Sequence, residues 1–335
     1  MKKLLSLFLC AALMLAMVVC LSGCASKESD VLTLKFCTLE NEDHAQGILL
    51  KTFKDEVEKI SDGKIKVETY FNGSLYTADA GLQALTTGEL EMDLISCQQT
   101  ADFMPSIAMF GSPYFFKSYD HMRKFADSEY GATLANQVKD NAGYYVIDYY
   151  YNGARELNLK TETPVMKPSD LADTILRMAN TAAWTAVGES LGAKVTTLAY
   201  SEVYSALQLG TIDAQDNPLP ADQSMKFYEV TKQISMTDHI IDMGLIGINA
   251  KLWDGLSEEQ KNWINTAMHT AALTADNVSL TLESDLVDFF QEQGLIITYP
   301  DKQAFAEYSH AYYVDNGLVN DWDMEMYDHV QALAD

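Results

Sequence analysis

Arginine is almost missing from this sequence: Arg123, Arg155 and Arg177 are the only three among 23 basic residues, which face 48 acidic ones. The formal net charge of -25 argues against binding a phosphate backbone, so nucleic acid is not expected as a partner. Cysteine is scarce too. Of five in 335 residues, Cys10, Cys20 and Cys24 fall in the first 24 positions, which leaves Cys37 and Cys97 and excludes a disulfide framework. Each of these two ends an apolar strand-like run, where a buried free thiol is expected in preference to a mutual disulfide. No C-x-x-C occurs, and no paired spacing links His44, His121, His239, His269, His310 and His329, so no metal site is expected. There is no G-x-S-x-G elbow, no phosphate-binding G-x-x-x-x-G-K-[ST] loop, no G-x-G-x-x-G after the first strand and no H-E-x-x-H. No catalytic residues and no cofactor are therefore expected, and the balance shifts from enzyme toward binding protein. What is there is ordinary for a soluble chain with a real core, 48% hydrophobic and 21% charged, and its length suggests two packed lobes.

Residues 1–23 have the form of a secretory signal peptide. Met1-Lys2-Lys3 is basic, and Leu4 to Val19 is an apolar run too short to span a membrane comfortably. The run ends in Leu21-Ser22-Gly23-Cys24, which resembles the lipobox of bacterial lipoproteins, where a peptidase cuts before a cysteine that carries lipid. Cys24 is the expected lipid anchor, and residues 24–30, small and polar, suit a tether. The mature protein is expected outside the cell membrane and held to it by lipid.

The rest alternates strand and helix. Leu32 to Cys37 within Val31 to Thr38, Ala45 to Ile60, Ile65 to Tyr70, Tyr76 to Thr87 and Met92 to Ser96 read as βαβαβ, which implies a mostly parallel sheet with helices on its faces. A single helix is predicted over His121 to Val138 and an aromatic strand over Tyr144 to Tyr151, its three tyrosines read as core packing. After Pro164 and Pro168 the pattern restarts with a strand at Ile175 to Met178 and a helix over Thr181 to Gly192. A helix opened by Ser201 as N-cap runs to Gly210, before a strand at Ile212 to Gln215. Ser257 to Gln293 holds no proline or glycine and opens with a Ser257/Gln260 capping box. Its stripe of Trp263, Ala267, Ala271, Ala275, Val278, Leu282, Leu286 and Phe289 predicts one helix of about 55 Å running along both lobes.

In a chain that otherwise uses lysine, two arginines at strand ends stand out. Arg155 follows Asn152-Gly153-Ala154, and Arg177 ends the strand after Pro168. Such edges are where ligand crevices form in α/β folds. A planar guanidinium offers two parallel donors that match a carboxylate, whereas lysine is a point charge. Structural pairing with the abundant Asp and Glu is the competing reading for each.

A resemblance sharpens this. The segments Lys167-Pro168-Ser169-Asp170-Leu171, Ile175-Leu176-Arg177, Leu191-Gly192-Ala193, Tyr200 to Gln208, Ile212 to Pro218 and Lys226-Phe227-Tyr228-Glu229-Val230 match in kind, order and spacing. Together they resemble the solute receptors of TRAP transporters (tripartite ATP-independent periplasmic, DctP type), and weaker similarity extends from about Leu32 to Gly294. The resemblance implies a periplasmic-binding-protein-like fold, two α/β lobes with a hinge that close over an organic acid and deliver it to a membrane permease. Lobe I is expected to hold residues 31–150 and about 242–283, and lobe II 151–241 and about 284–335, in a monomer. By the same resemblance Arg177 makes the bidentate contact to the ligand carboxylate. Arg155, Asn217, Asn180 and Gln98 match polar contacts of the family's sialic-acid branch, and Tyr200 falls where an aromatic residue lines the pocket. His44 and Trp184 are added as cleft-facing candidates, with a core role open for Trp184. Ala172-Asp173-Thr174 and Ala214 depart from the family's pattern, and Gln98 replaces a carboxylate of the sialic-acid branch. The expected ligand is a hydroxylated sugar acid such as a uronate, an aldonate or a sialic-acid-like monocarboxylate. A C4-dicarboxylate or keto acid is the alternative, and an extracellular enzyme or sensory lipoprotein is the rival of another class.

Overall fold

The computed structural model describes residues 31–334; the signal peptide, Cys24 and the tether lie outside the described residues. The first half of the fold is β1 (Leu32–Cys37), α1 (Ala45–Ile60), β2 (Ile65–Tyr70), α2 (Ala78–Thr87), β3 (Met92–Ser96) and the short α3 (Cys97–Thr100). β1 pairs in parallel with both β2 and β3. Leu49, Leu50, Phe53 and Val57 recur at helical spacing on α1 and are fully buried. They meet Leu34, Phe36, Ile65 and Val67 of the strands in one apolar cluster, so burial of this stripe fixes the helix on the sheet.

Where one helix is predicted over 121–138, the structure has two, α4 (Tyr119–Ala126) and α5 (Glu129–Ala142). The Ser128 hydroxyl accepts from the backbone N–H of Tyr130 and Gly131, so it caps a new helix inside what the apolar spacing presents as a continuous one. The aromatic strand is twice as long as predicted. β4 (Tyr144–Leu159) leads into β5 (Ile175–Met178), α6 (Ala182–Ser190), β6 (Lys194–Thr197), α7 (Val203–Leu209), β7 (Ala214–Pro218) and α8 (Leu219–Ser224). Ser201 does not cap α7: residues Tyr200–Glu202 form a 3₁₀ turn and the α-helix begins at Val203.

β8 (Gln233–Asn249) returns through both halves, followed by α9 (Ala250–Gly255), α10 (Glu258–Glu292), β9 (Ile296–Thr298), α11 (Lys302–Asp315) and α12 (Met324–Gln331). Eight strands follow the order β2-β1-β3-β8-β4-β7-β5-β6 and β9 pairs with β8, which makes one nine-stranded sheet. Five of its ladders are parallel, as the crossovers require. The three antiparallel ones all involve β4 or β8, the strands that run from one half into the other.

The crossing point is built to bend. The β4–β8 register shifts between Tyr151 and Gly153, and Gly153 has φ +128°, where a Cβ would lie 2.6 Å from that of Pro218. Only glycine fits there. Helix α10 braces the bend, accepting the Tyr151 N–H on Asp276 (2.6 Å) and the Ala154 N–H on Glu283 (2.5 Å). It touches α1 of the first half and α8 of the second, and 35 residues at about 1.5 Å each give roughly 52 Å. Its capping box forms as predicted. The buried stripe sits slightly off the predicted one, with Ile264, Met268 and Phe290 fully buried alongside Ala271 and Ala275, and Trp263 and Phe289 half-buried, because the helix packs on more than one side. Tyr149, Tyr150 and Tyr151 are buried, and Cys37 and Cys97 are free buried thiols. Among the described residues no helix is long and apolar enough to cross a membrane.

Candidate functional site

A cavity of about 500 Å³ opens between the two halves, walled by residues of both, among them Glu40, Gln46, Asp93, Tyr150, Arg155, Arg177, Asn180, Trp184, Tyr200, Asn217 and Asp242. The second half supplies both arginines from neighbouring regions of the sheet, Arg155 from β4 and Arg177 from β5, with β7 between them.

Four of the five N–H donors of Arg155 meet protein acceptors. Its Nε donates to Asp216 Oδ2 (2.7 Å), Nη1 to Asp242 Oδ2 (2.8 Å), and Nη2 to the Asp216 carbonyl (2.8 Å) and to Asn217 Oδ1 (3.1 Å). The Trp184 ring lies under the guanidinium, 4.5 Å away. His239 Nε2 is 3.1 Å from the same Asp216 oxygen. Burial works against the charges in this cluster, but Asp216 and Asp242 outweigh it and hold the arginine above its usual range, while Arg155 and His239 hold Asp216 well below the carboxylate range. The network reaches the first half through Asp242, which accepts from Asn152, and Asn152 accepts from Gln46 on α1 (2.9 Å).

Arg177 is the opposite case. It is 4% exposed, and its protein acceptor is the Leu198 carbonyl, reached by Nε at 3.0 Å and Nη2 at 2.5 Å. Among the described residues no carboxylate lies within ion-pair distance of it. Burial without that partner pushes the guanidinium down to about 10. Arg177 lines the cavity, and its Nη1 and one N–H of Nη2 have no protein acceptor among the described residues.

Six of the eight cavity residues anticipated from the sequence stand on its wall. Asn217 closes on Arg155 and donates to Gln215 Oε1 (2.5 Å). Tyr200 donates to Glu40 Oε1 across the cleft at 2.7 Å, and exposed Asn180 reaches Asp79 of α2 at 3.5 Å. Trp184 sits on the first turn of α6, held by the Thr181 cap, so its core burial and its place at the cavity coincide. Two do not line the cavity. His44 is the N-cap of α1, with Nδ1 accepting from the Gln46 N–H. Gln98 turns inward and donates to the Gly111 carbonyl at 2.9 Å, while its neighbours Ser96 and Gln99, joined in the α3 capping box, take the wall. A one-residue step at a strand-to-helix junction is enough to point a side chain the other way.

Sequence reasoning missed the acids. Glu40, Asp93, Asp216 and Asp242 all line the cavity, yet in a chain with 48 carboxylates nothing local marks them. Asp216 had the best signal, as the neighbour of Asn217. Asp93 is buried, with Oδ1 accepting from Cys37 Sγ (3.4 Å) and from the Leu94 N–H (2.9 Å), and burial pushes it up to about 7.

Residues 36–316 match the family model described as bacterial extracellular solute-binding protein, family 7 (DctP). The chain is 32% identical over 257 residues to the sialic acid-binding periplasmic protein SiaP of Vibrio cholerae, covering 77% of this chain and 79% of that one. It is 28% identical to the 2,3-diketo-L-gulonate-binding periplasmic protein of Escherichia coli, over 82% of this chain and 84% of the other. Among solved structures, a TRAP periplasmic solute-binding protein of Roseobacter denitrificans with bound 3-deoxy-D-manno-oct-2-ulosonic acid superposes with TM-score 0.86 at 35% identity. The match covers 91% of this chain and 100% of that one.

Proposed function

The chain belongs to the bacterial extracellular solute-binding proteins of family 7, and from that premise we propose that it captures a hydroxylated monocarboxylic acid on Arg177 and delivers it to a TRAP membrane permease. The observation that carries this reading is the buried guanidinium of Arg177, which lines a 500 Å³ cavity without a protein carboxylate to pair with. A buried charge is costly unless it is paired. The missing partner is a carboxylate brought by the ligand, received in the bidentate geometry that guanidinium favours. Relatives point the same way: besides those above, a Roseobacter denitrificans receptor of this class is described with L-galactonate, and a Sulfitobacter receptor with β-D-galacturonate.

Arg155 acts in this reading as a fixed frame. Its own charge is spoken for by Asp216 and Asp242, and it orients Asn217 toward the occupant. Residues 31–150 with about 242–283, and 151–241 with about 284–335, move as two lobes about the Tyr151–Gly153 bend, and closure buries the ligand. Secretion on the 1–23 signal and lipid on Cys24 would tether the receptor to the cell membrane as a monomer.

The test is a thermal-shift screen of the domain cut after Cys24 against aldonates, uronates, sialic acid, keto acids, C4-dicarboxylates and neutral sugars. A ligand at a hundred times its Kd stabilises the folded state by about 2.7 kcal/mol. Shifts confined to carboxylates are the expected outcome. Shifts with neutral sugars alone would leave Arg177 without a role and sink the reading.

A further inference from the structure

We propose that Glu40 is a specificity-determining residue of this cavity, a negative charge fixed across the cleft that turns away acids carrying a second carboxylate. The inference rests on the reading of Arg177 as the acid's anchor and adds what the far wall does.

Glu40 follows β1 in the first half, lines the cavity and is 6% exposed. Its backbone is pinned at both ends: the Glu40 N–H donates to Thr38 Oγ1 (3.1 Å) and its carbonyl accepts the Asn72 N–H (2.9 Å). The carboxylate is pinned from the second half. Oε1 accepts from Tyr200 Oη (2.7 Å) and Oε2 from Ser224 Oγ (3.0 Å), and Ser224 is itself held by Asn41 Nδ2 at 2.8 Å. The side chain therefore cannot swing into solvent while the cleft is closed. No Lys, Arg or His among the described residues lies within ion-pair distance of it. Asp216 and Asp242 each pair with Arg155, whereas Glu40 is an anion with no cationic partner, in the same cavity as the unpaired cation Arg177.

A cavity with these two poles selects. Each carboxylate oxygen of Glu40 keeps a lone pair that a ligand hydroxyl can approach as donor. A second carboxylate has no proton to give and meets a like charge where closure has excluded water, and like charges are strongly unfavourable at low dielectric. Discrimination of this kind comes from a repulsive element as much as from the attractive one.

Glu40→Gln separates charge from shape: the amide oxygen still accepts from Tyr200 Oη, and the amide nitrogen can donate to Ser224 Oγ. Calorimetry compares matched pairs that differ only in a terminal CH₂OH or carboxylate, galactonate with galactarate and gluconate with glucarate, with succinate as a third diacid. The wild type is expected to bind the monoacid at least a hundredfold tighter than its diacid, and Glu40→Gln to narrow that ratio about tenfold or more. Tyr200→Phe removes one clasp bond and keeps the charge, so the ratio should stay within threefold of wild type even where both affinities fall. An unchanged ratio in Glu40→Gln, with a wild-type melting curve showing that the variant is folded, overturns the inference. So does a ratio that narrows as much in Tyr200→Phe, since closure rather than charge would then discriminate. A wild type that binds no acid of the set fails at Arg177, which is a different failure and overturns the reading beneath this one.

Discussion

Arg155 and Arg177 stand on the same wall, both nearly buried, and the molecule treats them in opposite ways. Around Arg155 four of the five N–H donors meet acceptors, and two of the acceptor residues are carboxylates. Around Arg177 one backbone carbonyl is the whole provision. The difference separates a charge that belongs to the fold from one that waits for a partner. A buried residue type does not reveal its role; the completeness of its hydrogen bonding does. The long strands follow the same division, since the Arg155 network runs through Asp242 and Asn152 to Gln46 and ties the two halves, whereas nothing beyond the Leu198 carbonyl ties Arg177.

The largest effects are expected from removing either guanidinium, and they should fall on different observables. Arg177→Met should weaken binding of the cognate acid by about 3 to 5 kcal/mol, roughly two to four decades in Kd. The ligand-free unfolding free energy should hold or rise, because an unpaired buried charge is gone. Arg155→Met strands Asp216 and Asp242 in a dry environment and should lower the ligand-free unfolding free energy by about 3 to 5 kcal/mol. Urea titration of both variants, with calorimetry on the folded protein, reads the two axes. Equal losses of stability would erase the distinction between them.

How much of this contrast the sequence carried is instructive. The βαβαβ run, the long helix with its capping box, and the two arginines were legible because periodicity, capping residues and rarity are local signals. The split of the 121–138 helix was not, since the Ser128 cap competes with an unbroken apolar spacing and only packing decides. The mixed character of the sheet was hidden as well: β4 and β8 are adjacent in space but some ninety residues apart in the chain. That Arg155 is neutralised and Arg177 is not depends on Asp242, 87 positions from Arg155, and no motif encodes such a distance. The same limit applies to Gln98 and Gln99, where the strand end decides which of two adjacent amides faces the cavity.

An effect of similar total size, spread over pH, tests the acid left without a cation beside the cavity. Burial raises Asp93 to about 7, so the folded state holds its proton more tightly than the unfolded chain, whose aspartate titrates near 4. Its contribution to stability is full below pH 4 and is lost as pH rises through 7. Across that window the slope from this one group is about -1.4 kcal/mol per pH unit. Asp93→Asn should flatten the pH dependence of the urea midpoint between pH 4 and 7 relative to wild type. A difference curve with no slope there would mean that Asp93 titrates normally in the folded protein. Arg155 and Asp216 run the other way, since the depressed Asp216 contributes stability that is lost only in strong acid.

The smallest effect sharpens the comparison from beneath. Trp184 is 5% exposed and places its ring 4.5 Å from the Arg155 guanidinium, an arrangement worth about 0.5 to 2 kcal/mol where the cation is desolvated. Trp184→Phe keeps a π face and should reduce stability by roughly 1 kcal/mol or less. Trp184→Leu loses the face and should cost about 1 kcal/mol more than the phenylalanine variant, since volume is lost in both and the ring in only one. If Trp184 serves Arg155 as part of the frame, the affinity of either variant for the acid should stay within about a factor of ten of wild type, far short of the loss in Arg177→Met. A Trp184→Leu variant that is as stable as the phenylalanine one but binds a hundredfold more weakly would put the indole on the ligand, and the boundary between frame and clamp would then have to be redrawn on the Arg177 side of that ring.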